Sequence, residues 1–237
     1  MRKNSVFALV LSLVLMVSLL FGGCAGIREN IWDWRKQAAS VAETPPQEIF
    51  VKAEYYFTEG LFKKAREEFS KIKQFHPLNT EFVMKAEIRI ADSYYRSAEY
   101  MDAIISYNDF MNLYPNSPEI PYCIYQIANC NYAQVQPFDR DQRYTEEAIK
   151  EFGKLLFRFP DSKYTLAARQ KIRDCEERLA KRELYVAEFY IKKEKYPAAI
   201  ARLDYLLATY PHFSQSLSAS YLLESIKVIQ EQSLQRT

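Results

Sequence analysis

The chain is short of the residues that most enzymes and metal proteins rely on. It has five glycines and two histidines in 237 residues. No glycine-rich phosphate loop occurs, and neither a histidine pair at metal spacing nor a cysteine pair at zinc spacing is present. No run of alternating strand-like residues with hairpin turns occurs either, which excludes a β-rich fold. Excess charge of one sign is also missing, with 32 basic residues against 30 acidic ones. Acids and bases alternate locally, as in Lys63-Lys64 with Glu67-Glu68, the pattern of a solvated helix face. Nothing here asks for nucleic acid or an anionic membrane surface. No nucleophile–base constellation is visible, so the expectation is a non-enzymatic protein with no cofactor beyond a covalent lipid.

That lipid is expected from the first residues. Arg2 and Lys3 form a basic start, Val6 to Phe21 is an almost unbroken apolar run, and Gly22-Gly23 precede Cys24. This is the order of a secretory signal. The run is at the short end for spanning a bilayer; plain secretion and a retained anchor are the alternatives. A cysteine directly after two small residues resembles a bacterial lipobox, although Phe21 stands where leucine is usual. Cys24 is therefore the expected lipid-attachment residue, and residues 1–23 the signal peptide. Ala25 follows in place of the aspartate that marks inner-membrane retention, so the resemblance implies the periplasmic face of the outer membrane. Losing residues 1–23 removes two bases and no acid, leaving 30 of each. Residues 24–46 read as a tether closed by Pro45-Pro46. Within it Ile27, Ile31, Trp32 and Trp34 suit the bilayer surface, the folded domain or a partner alike.

The remainder is organised by repetition. Four times an alanine is followed at +4 and +7 by apolar residues and at +12 by a proline: Ala65/Phe69/Ile72/Pro77, Ala103/Tyr107/Phe110/Pro115, Ala148/Phe152/Leu155/Pro160 and Ala199/Leu203/Leu206/Pro211. Working back from each alanine adds Ala53, Tyr56, Gly60 and Phe62 in the first set, Ala91, Tyr94, Ala98 and Tyr100 in the second, and Ala187, Tyr190, Glu194 and Tyr196 in the last. Small residues where two antiparallel helices touch, aromatics in the gaps and a closing proline make the tetratricopeptide pattern. The fold class is all-α: a superhelix of about ten helices, with four clear repeats and a partial fifth around Leu217 to Ile229. Gly60 suits a turn with an unusual backbone angle. Asn79-Thr80, Asn116-Ser117 and Asp161-Ser162 suit N-caps. His76 and His212, each beside a terminal proline, suit helix ends.

The intervals are irregular. Successive alanines lie 38, 45 and 51 residues apart, against 34 in a plain array. One excess is the polar stretch Gln136 to Arg143, which interrupts repeat three. The other is about half a repeat, where Tyr164, Ala168, Ile172, Cys175 and Leu179 suit one long helix from about Ser162 to Tyr190. Cys123 and Cys130 share a helix face at about 10 Å, too far for a disulfide. Free, buried thiols are expected, with a bridge to Cys175 left open.

Tyrosine is the unusual count, at 18 residues. Many hold repeat positions, but others fall on the inner face of each repeat's first helix. That face reads Phe50, Glu54 and Phe57, then Ile88, Asp92, Tyr95 and Arg96, then Tyr125, Asn129 and Tyr132. Aromatic walls with a few polar groups suit an extended apolar or aromatic peptide.

A lipid-acceptor cysteine, tetratricopeptide repeats and a polar insert in repeat three together resemble the BamD family, lipoproteins of the outer-membrane β-barrel assembly (BAM) machine. The likeness is carried by Asp139-Arg140-Asp141-Gln142, Phe159-Pro160-Asp161-Ser162-Lys163-Tyr164, Leu179-Ala180-Lys181 and Val186-Ala187-Glu188-Phe189-Tyr190. The two tryptophans of the tether depart from it. The resemblance implies a scaffold whose N-terminal repeats (47–160) recognise targeting signals of unfolded outer-membrane proteins. Its C-terminal repeats (161–237) would dock on a POTRA domain of BamA, and other BAM lipoproteins are further partners. On this chain the docking region is the helix pair around Glu188 and Arg202. Arg202 matches a basic residue of the family within Ile200-Ala201-Arg202-Leu203. A pilotin for a type IV pilus secretin is the alternative, though those arrays lack the insert and the long helix.

Cys24→Ser is expected to abolish incorporation of labelled palmitate and to move the protein to the soluble fraction. Label retained by the serine variant would exclude Cys24 as the acceptor.

Overall fold

A computed structural model describes residues 38–214 and 219–234. The signal, Cys24 and the Trp32/Trp34 part of the tether lie outside the described residues. Helical residues 38–43 fall within the segment expected to be a tether. The chain then continues as α1 (Pro46–Thr58), α2 (Phe62–Phe75), α3 (Thr80–Arg96), α4 (Tyr100–Leu113), α5 (Ile120–Tyr132), α6 (Arg143–Arg158), α7 (Thr165–Lys192), α8 (Tyr196–Thr209), the single turn α9 (Pro211–Ser214) and α10 (Ala219–Leu234). No strand occurs among the described residues. The chain divides into two compact units, one ending at Ala86 and one starting at Glu87, so the division falls inside α3. The 160/161 boundary between functional halves falls within the second unit.

In the first unit α1 pairs with α2, and Ala53 of one and Ala65 of the other are fully buried. Pro46 opens α1 at its first helical position, where a missing N–H costs nothing. In the second unit α5 packs on α4 and α6, α7 on α6 and α8, and α8 on α10. One apolar core joins Ile124, Ala128, Ala148, Phe152, Leu155 and Cys175. Another joins Ala187, Leu203, Leu206, Leu223 and Ile226. Fully burying Phe69, Phe110 or Phe152 contributes about 1.5–3 kcal/mol each.

Both ends of the repeat are set by backbone chemistry. The second helices end at His76, Tyr114, Phe159 and Tyr210, each immediately before proline. Their φ angles are −128°, −128°, −138° and −125° with ψ between 47° and 64°, outside the α region that the following ring disfavours. Each of these N–H groups still donates to the carbonyl four residues back: Ile72, Phe110, Leu155 and Leu206. His76 is thus a helix C-cap, while His212 opens α9 instead. Asn79 caps α3, its Oδ1 accepting from Phe82 N at 3.4 Å. Ser117 and Ser162 do not cap their helices, contrary to expectation. Each accepts from the N–H two residues on, at 3.2 and 3.3 Å, and closes a turn that precedes the helix.

The first helices end in left-handed residues at one repeat position: Gly60 (φ +74°), Ala98 (+61°) and Glu194 (+57°). Leu61, Glu99 and Lys195 then donate to the carbonyls of Tyr56, Tyr94 and Tyr190 at 2.8–3.0 Å. Gly60, Ala98 and Glu194 donate to Phe57, Tyr95 and Ile191 at 2.9–3.1 Å. This is the six-to-one and five-to-two Schellman pairing, which satisfies carbonyls that the helix leaves orphaned. Repeat three departs from it: the 133–142 connection replaces the tight turn, and α7 runs unbroken for 28 residues. Both irregularities read from the alanine intervals are present.

Left-handed backbone costs an L-residue about 1–2 kcal/mol, and glycine's extra unfolded-state entropy returns about 0.5–1 kcal/mol of that. Ala98→Gly and Glu194→Gly are each expected to stabilise by up to about 1 kcal/mol in urea unfolding. Gly60→Ala is expected to destabilise by a similar amount. Destabilisation by both glycine substitutions would contradict this account of the turn.

Candidate functional site

The second unit carries a tyrosine-lined face built on α5. Tyr122, Tyr125, Asn129 and Tyr132 follow helical spacing and share one side of that helix. Tyr164, just before α7, closes over them: its ring stacks on Tyr125 at 4.9 Å and 17°, and lies 5.8 Å from Tyr122. Below, Phe152 of α6 meets Tyr125 at 5.8 Å and Tyr132 at 6.4 Å. The Tyr132 hydroxyl donates to Asp174 Oδ2 at 3.3 Å, and the Lys171 ammonium lies 4.0 Å from the Tyr132 ring centre. Burial, aided by Asp174, pushes the Tyr132 pKa up. Burial pulls the Lys171 pKa below the usual lysine range.

A polar relay underlies this face. Asn129 Nδ2 donates to Gln126 Oε1 (2.9 Å), Gln126 Nε2 to Tyr122 Oη (2.8 Å), and Tyr122 Oη to Asp92 Oδ1 (2.7 Å). Tyr107 Oη donates to the same oxygen at 2.6 Å, and Arg89 Nη1 to Asp92 Oδ2 at 3.2 Å. Asp92 is 5% exposed, and one carboxylate therefore binds α3, α4 and α5 together. Burial first, then the Asp92 charge, holds the Tyr107 and Tyr122 hydroxyls well above the ordinary tyrosine range, so both stay donors.

The sequence-predicted residues divide accordingly. Phe50 and Phe57 lie in the first unit, half-buried. Phe50 meets Phe69 and Phe82 edge-on at 5.3 and 5.8 Å, and Phe57 meets Phe62 at 5.6 Å. Ile88 and Tyr95 are half-buried and Arg96 is exposed. Tyr95 sits 5.8 Å from Tyr100, and burial raises its pKa. Tyr125 and Tyr132 stand on the face just described. Asp92 and Asn129, expected to offer polar groups to a ligand, are buried and committed to the relay: Asp92 accepts from hydroxyls 15 and 30 residues away, and Asn129 donates to Gln126 on its own helix. Tyr122 and Lys171 were not singled out from the sequence, and Tyr164 was named there only for the long helix and the family likeness, not for this face. For Tyr164 and Lys171 the signal was there, since Tyr164, just before α7, and Lys171 on it repeat the seven-residue spacing of Tyr125 and Tyr132 on α5.

The α7–α8 pair presents Glu188 and Arg202, both exposed. Arg202 Nη1 meets Glu183 Oε2 at 3.0 Å rather than Glu188. The repeat-three insert is fastened to the same long helix. Arg178 donates to Gln136 O at 3.0 Å and Arg182 to Arg140 O at 2.8 Å, while Phe138 packs edge-on to Tyr185 at 5.7 Å. Gln142, almost fully buried, gathers the loop by donating to Pro137 O and Arg140 O at 2.7 and 3.1 Å and accepting from Thr145 Oγ1 at 2.8 Å. Among the described residues no group of His, Cys, Asp and Glu is placed to hold a metal ion. Cys123, Cys130 and Cys175 are free and buried, and burial pushes their pKa values up to about 12, 12 and 11. Thiols held in that form are poor nucleophiles.

Losing one donor to a buried acceptor costs about 1–3 kcal/mol. Tyr107→Phe is expected to destabilise unfolding by that amount, and more than Tyr122→Phe, whose hydroxyl is less deeply buried. Combined with Asp92→Asn, Tyr107→Phe is expected to cost at least 0.5 kcal/mol less than the sum of the two single effects, because both remove one shared interaction. Additive effects in chemical denaturation would show that the carboxylate is not the common acceptor.

A family model, YfiO, described as an outer membrane lipoprotein, matches residues 42–236. The chain is 30% identical over 221 residues to the outer membrane protein assembly factor BamD of Rickettsia prowazekii (strain Madrid E), covering 93% of this chain and 84% of that protein. It is 26% identical over 208 residues to BamD of Caulobacter vibrioides, covering 88% of this chain and 66% of that protein. BamD of Vibrio cholerae matches at 26% over 211 residues, covering 85% and 83%. With the match extending over the helical hairpins, the insert and the long α7, the chain belongs to the YfiO family of outer membrane lipoproteins.

Proposed function

We propose that this chain is a non-catalytic scaffold subunit of the outer-membrane β-barrel assembly machinery, held by lipid on Cys24 at the periplasmic face of the outer membrane. Its tyrosine-lined face receives targeting segments of unfolded β-barrel proteins. Its α7–α8 pair docks on a POTRA domain of BamA, with Glu188 and Arg202 at the contact. The observation that carries the reading is the match to outer membrane protein assembly factors along most of the chain. Three features support it. The chemistry-bearing side chains are engaged in packing, half-exposed tyrosines share one side of α5, and the exposed Glu188 and Arg202 stand on α7–α8. Aromatic side chains in shallow pockets give affinity for extended peptides with little ordering cost. No helix among the described residues is long and apolar enough to cross a membrane, so on this reading the lipid supplies the attachment.

The Arg202–Glu183 pair allows docking to be separated from folding. Arg202 is 46% exposed and Glu183 12%, and an ion pair with one exposed partner contributes at most about 1 kcal/mol. Arg202→Glu is expected to reduce co-purification of BamA several-fold. The charge swap Glu183→Arg with Arg202→Glu restores the internal pair but leaves the outward charge reversed, so co-purification should remain low. Unchanged recovery of BamA with Arg202→Glu would refute the docking assignment. Recovery restored by the swap would show that the pair serves the fold instead.

A further inference from the structure

The first helix of repeat one exposes what the first helix of repeat three buries. Each carries a fully buried alanine at the same repeat position, Ala53 on α1 and Ala128 on α5. Five residues before that alanine, one before and two after stand Glu48, Lys52 and Tyr55 on α1, and Cys123, Ile127 and Cys130 on α5. The α5 residues are buried, whereas all three on α1 are exposed. On α5 the preceding repeat covers this flank. The helix packs on α4, Cys123 lies within reach of the Asp92 charge on α3, and Cys130 within reach of Tyr107 on α4. Repeat one has no repeat ahead of it in the sequence. Its flank is an open groove of about 660 Å³ lined by Pro45, Glu48, Val51, Lys52 and Tyr55, with Val51 63% and Tyr55 60% exposed. An end repeat of such an array needs a cap whose outer face is polar.

The chain immediately before the groove has the pattern of that cap. Ile27, Ile31, Trp34, Ala38 and Val41 follow one another at intervals of 4, 3, 4 and 3 residues, the spacing of one apolar helix stripe. The first three lie outside the described residues, but the last two do not. Within helical residues 38–43, Ala38 and Val41 are half-buried and the other four are exposed. Thr44 closes this helix, its N–H donating to Val41 O at 3.2 Å and its hydroxyl to Ser40 O at 2.9 Å. Thr44 and Pro45 are then the whole link to α1, and a link of two residues suits an antiparallel helix pair. We propose that residues 27–37 extend this helix and dock on the free flank of α1, where the second helix of a preceding repeat would sit. Counting outward from the link, Ala38 comes level with Val51 at six residues, and Trp34 with Tyr55 at ten. Trp32 lies about 160° round the helix from Trp34 and faces outward. Arg28, Glu29, Asp33 and Lys36 share that outer side, which makes it polar. Docking also fixes the reach of the lipid. Undocked, the 22 residues from Cys24 to Pro45 span about 75 Å; docked, Cys24 to Gly26 leave about 10 Å between lipid and helix. That consequence rests on Cys24 as the lipid site, whereas the docking does not.

Trp32 and Trp34 are the two tryptophans of the chain, so fluorescence reads the tether directly. The test uses the lipidated full chain in vesicles, in the forms Trp32→Phe and Trp34→Phe. In the Trp32→Phe protein, Trp34 is expected to emit at short wavelength, to resist acrylamide and to be unaffected by brominated lipid. Adding Val51→Glu puts a charge in the groove, and should shift that emission to the red and raise acrylamide quenching several-fold. Val51→Leu should keep Trp34 protected; Val51 is exposed, so neither change disturbs the α1–α2 core. In the Trp34→Phe protein, Trp32 should not respond to Val51→Glu. Three results would each overturn the proposal. Trp34 open to acrylamide beside the native groove would show the tether undocked. Trp34 quenched by brominated lipid and indifferent to Val51→Glu would put it in the bilayer. Protection lost at low protein density would make the occupant the tether of a second copy. If the protein fails to sediment with vesicles while Trp34 stays protected, the lipid site fails and the docking stands.

Discussion

Close approach of helix pairs at alanine is the constraint on which everything else in this chain depends. Ala53, Ala91, Ala128 and Ala187 on the first helices, and Ala65, Ala103, Ala148 and Ala199 on the second, are all fully buried. Interaxial distance follows the size of the side chains at the contact, within about 8–10 Å. A methyl group there keeps it near the lower limit. That in turn decides what fits one turn further along each second helix, where Phe69, Tyr107, Phe152 and Leu203 fill the space completely. The alanines contribute little burial themselves. Their role is to let the large residues be buried without voids.

Within the second unit this apolar scheme is joined by a polar one. Tyr107 holds the large-residue position of repeat two, and it is the only one of the four that carries a hydroxyl. Buried hydroxyls need partners, and Asp92 supplies one while also accepting from Tyr122 of the next repeat. A network of this kind favours one register of α3, α4 and α5 over others that would leave the carboxylate unpaired. Its other end is Gln126 and Asn129, beneath the tyrosine face. The same hydrogen bonds therefore order both the repeat interface and the tyrosine-lined face.

The helices and their ends were legible in the sequence because they are written in local chemistry. Proline forces its predecessor out of the helical region wherever it stands, and the alanine spacing shows which side of each helix is inward. The insert and the long α7 were legible as departures from that spacing. Ala128 and Ala148 stand 20 residues apart where Ala53 and Ala65 stand 12 apart. Asp92 was not legible in the same way. Helical periodicity put it on the inner face of α3, but only the three-dimensional arrangement brings two tyrosine hydroxyls to it. The capping serines failed for a smaller reason: a serine before a helix can close a turn or cap the helix, and spacing alone does not separate these. Ala98 and Glu194 occupy the left-handed position that Gly60 announces, yet neither residue type signals it.

The long α7 bears on how the two proposed sites relate. Lys171 stands in its second turn and Glu188 near its end, 17 residues apart on one unbroken helix, or about 25 Å. The neighbouring α6 and α8 pack against it, and the insert is fastened along the middle by Arg178 and Arg182. A helix packed and fastened along its length in this way resists bending, whereas coupling between sites needs an element with two states. The arrangement therefore favours a spacer over a switch. It would hold a bound segment on the tyrosine-lined face at a fixed distance from the docking helices, with binding at one end leaving the affinity of the other unchanged. Work of that kind is done by geometry: two partners presented at a set separation meet at a high effective concentration without any signal passing between the sites.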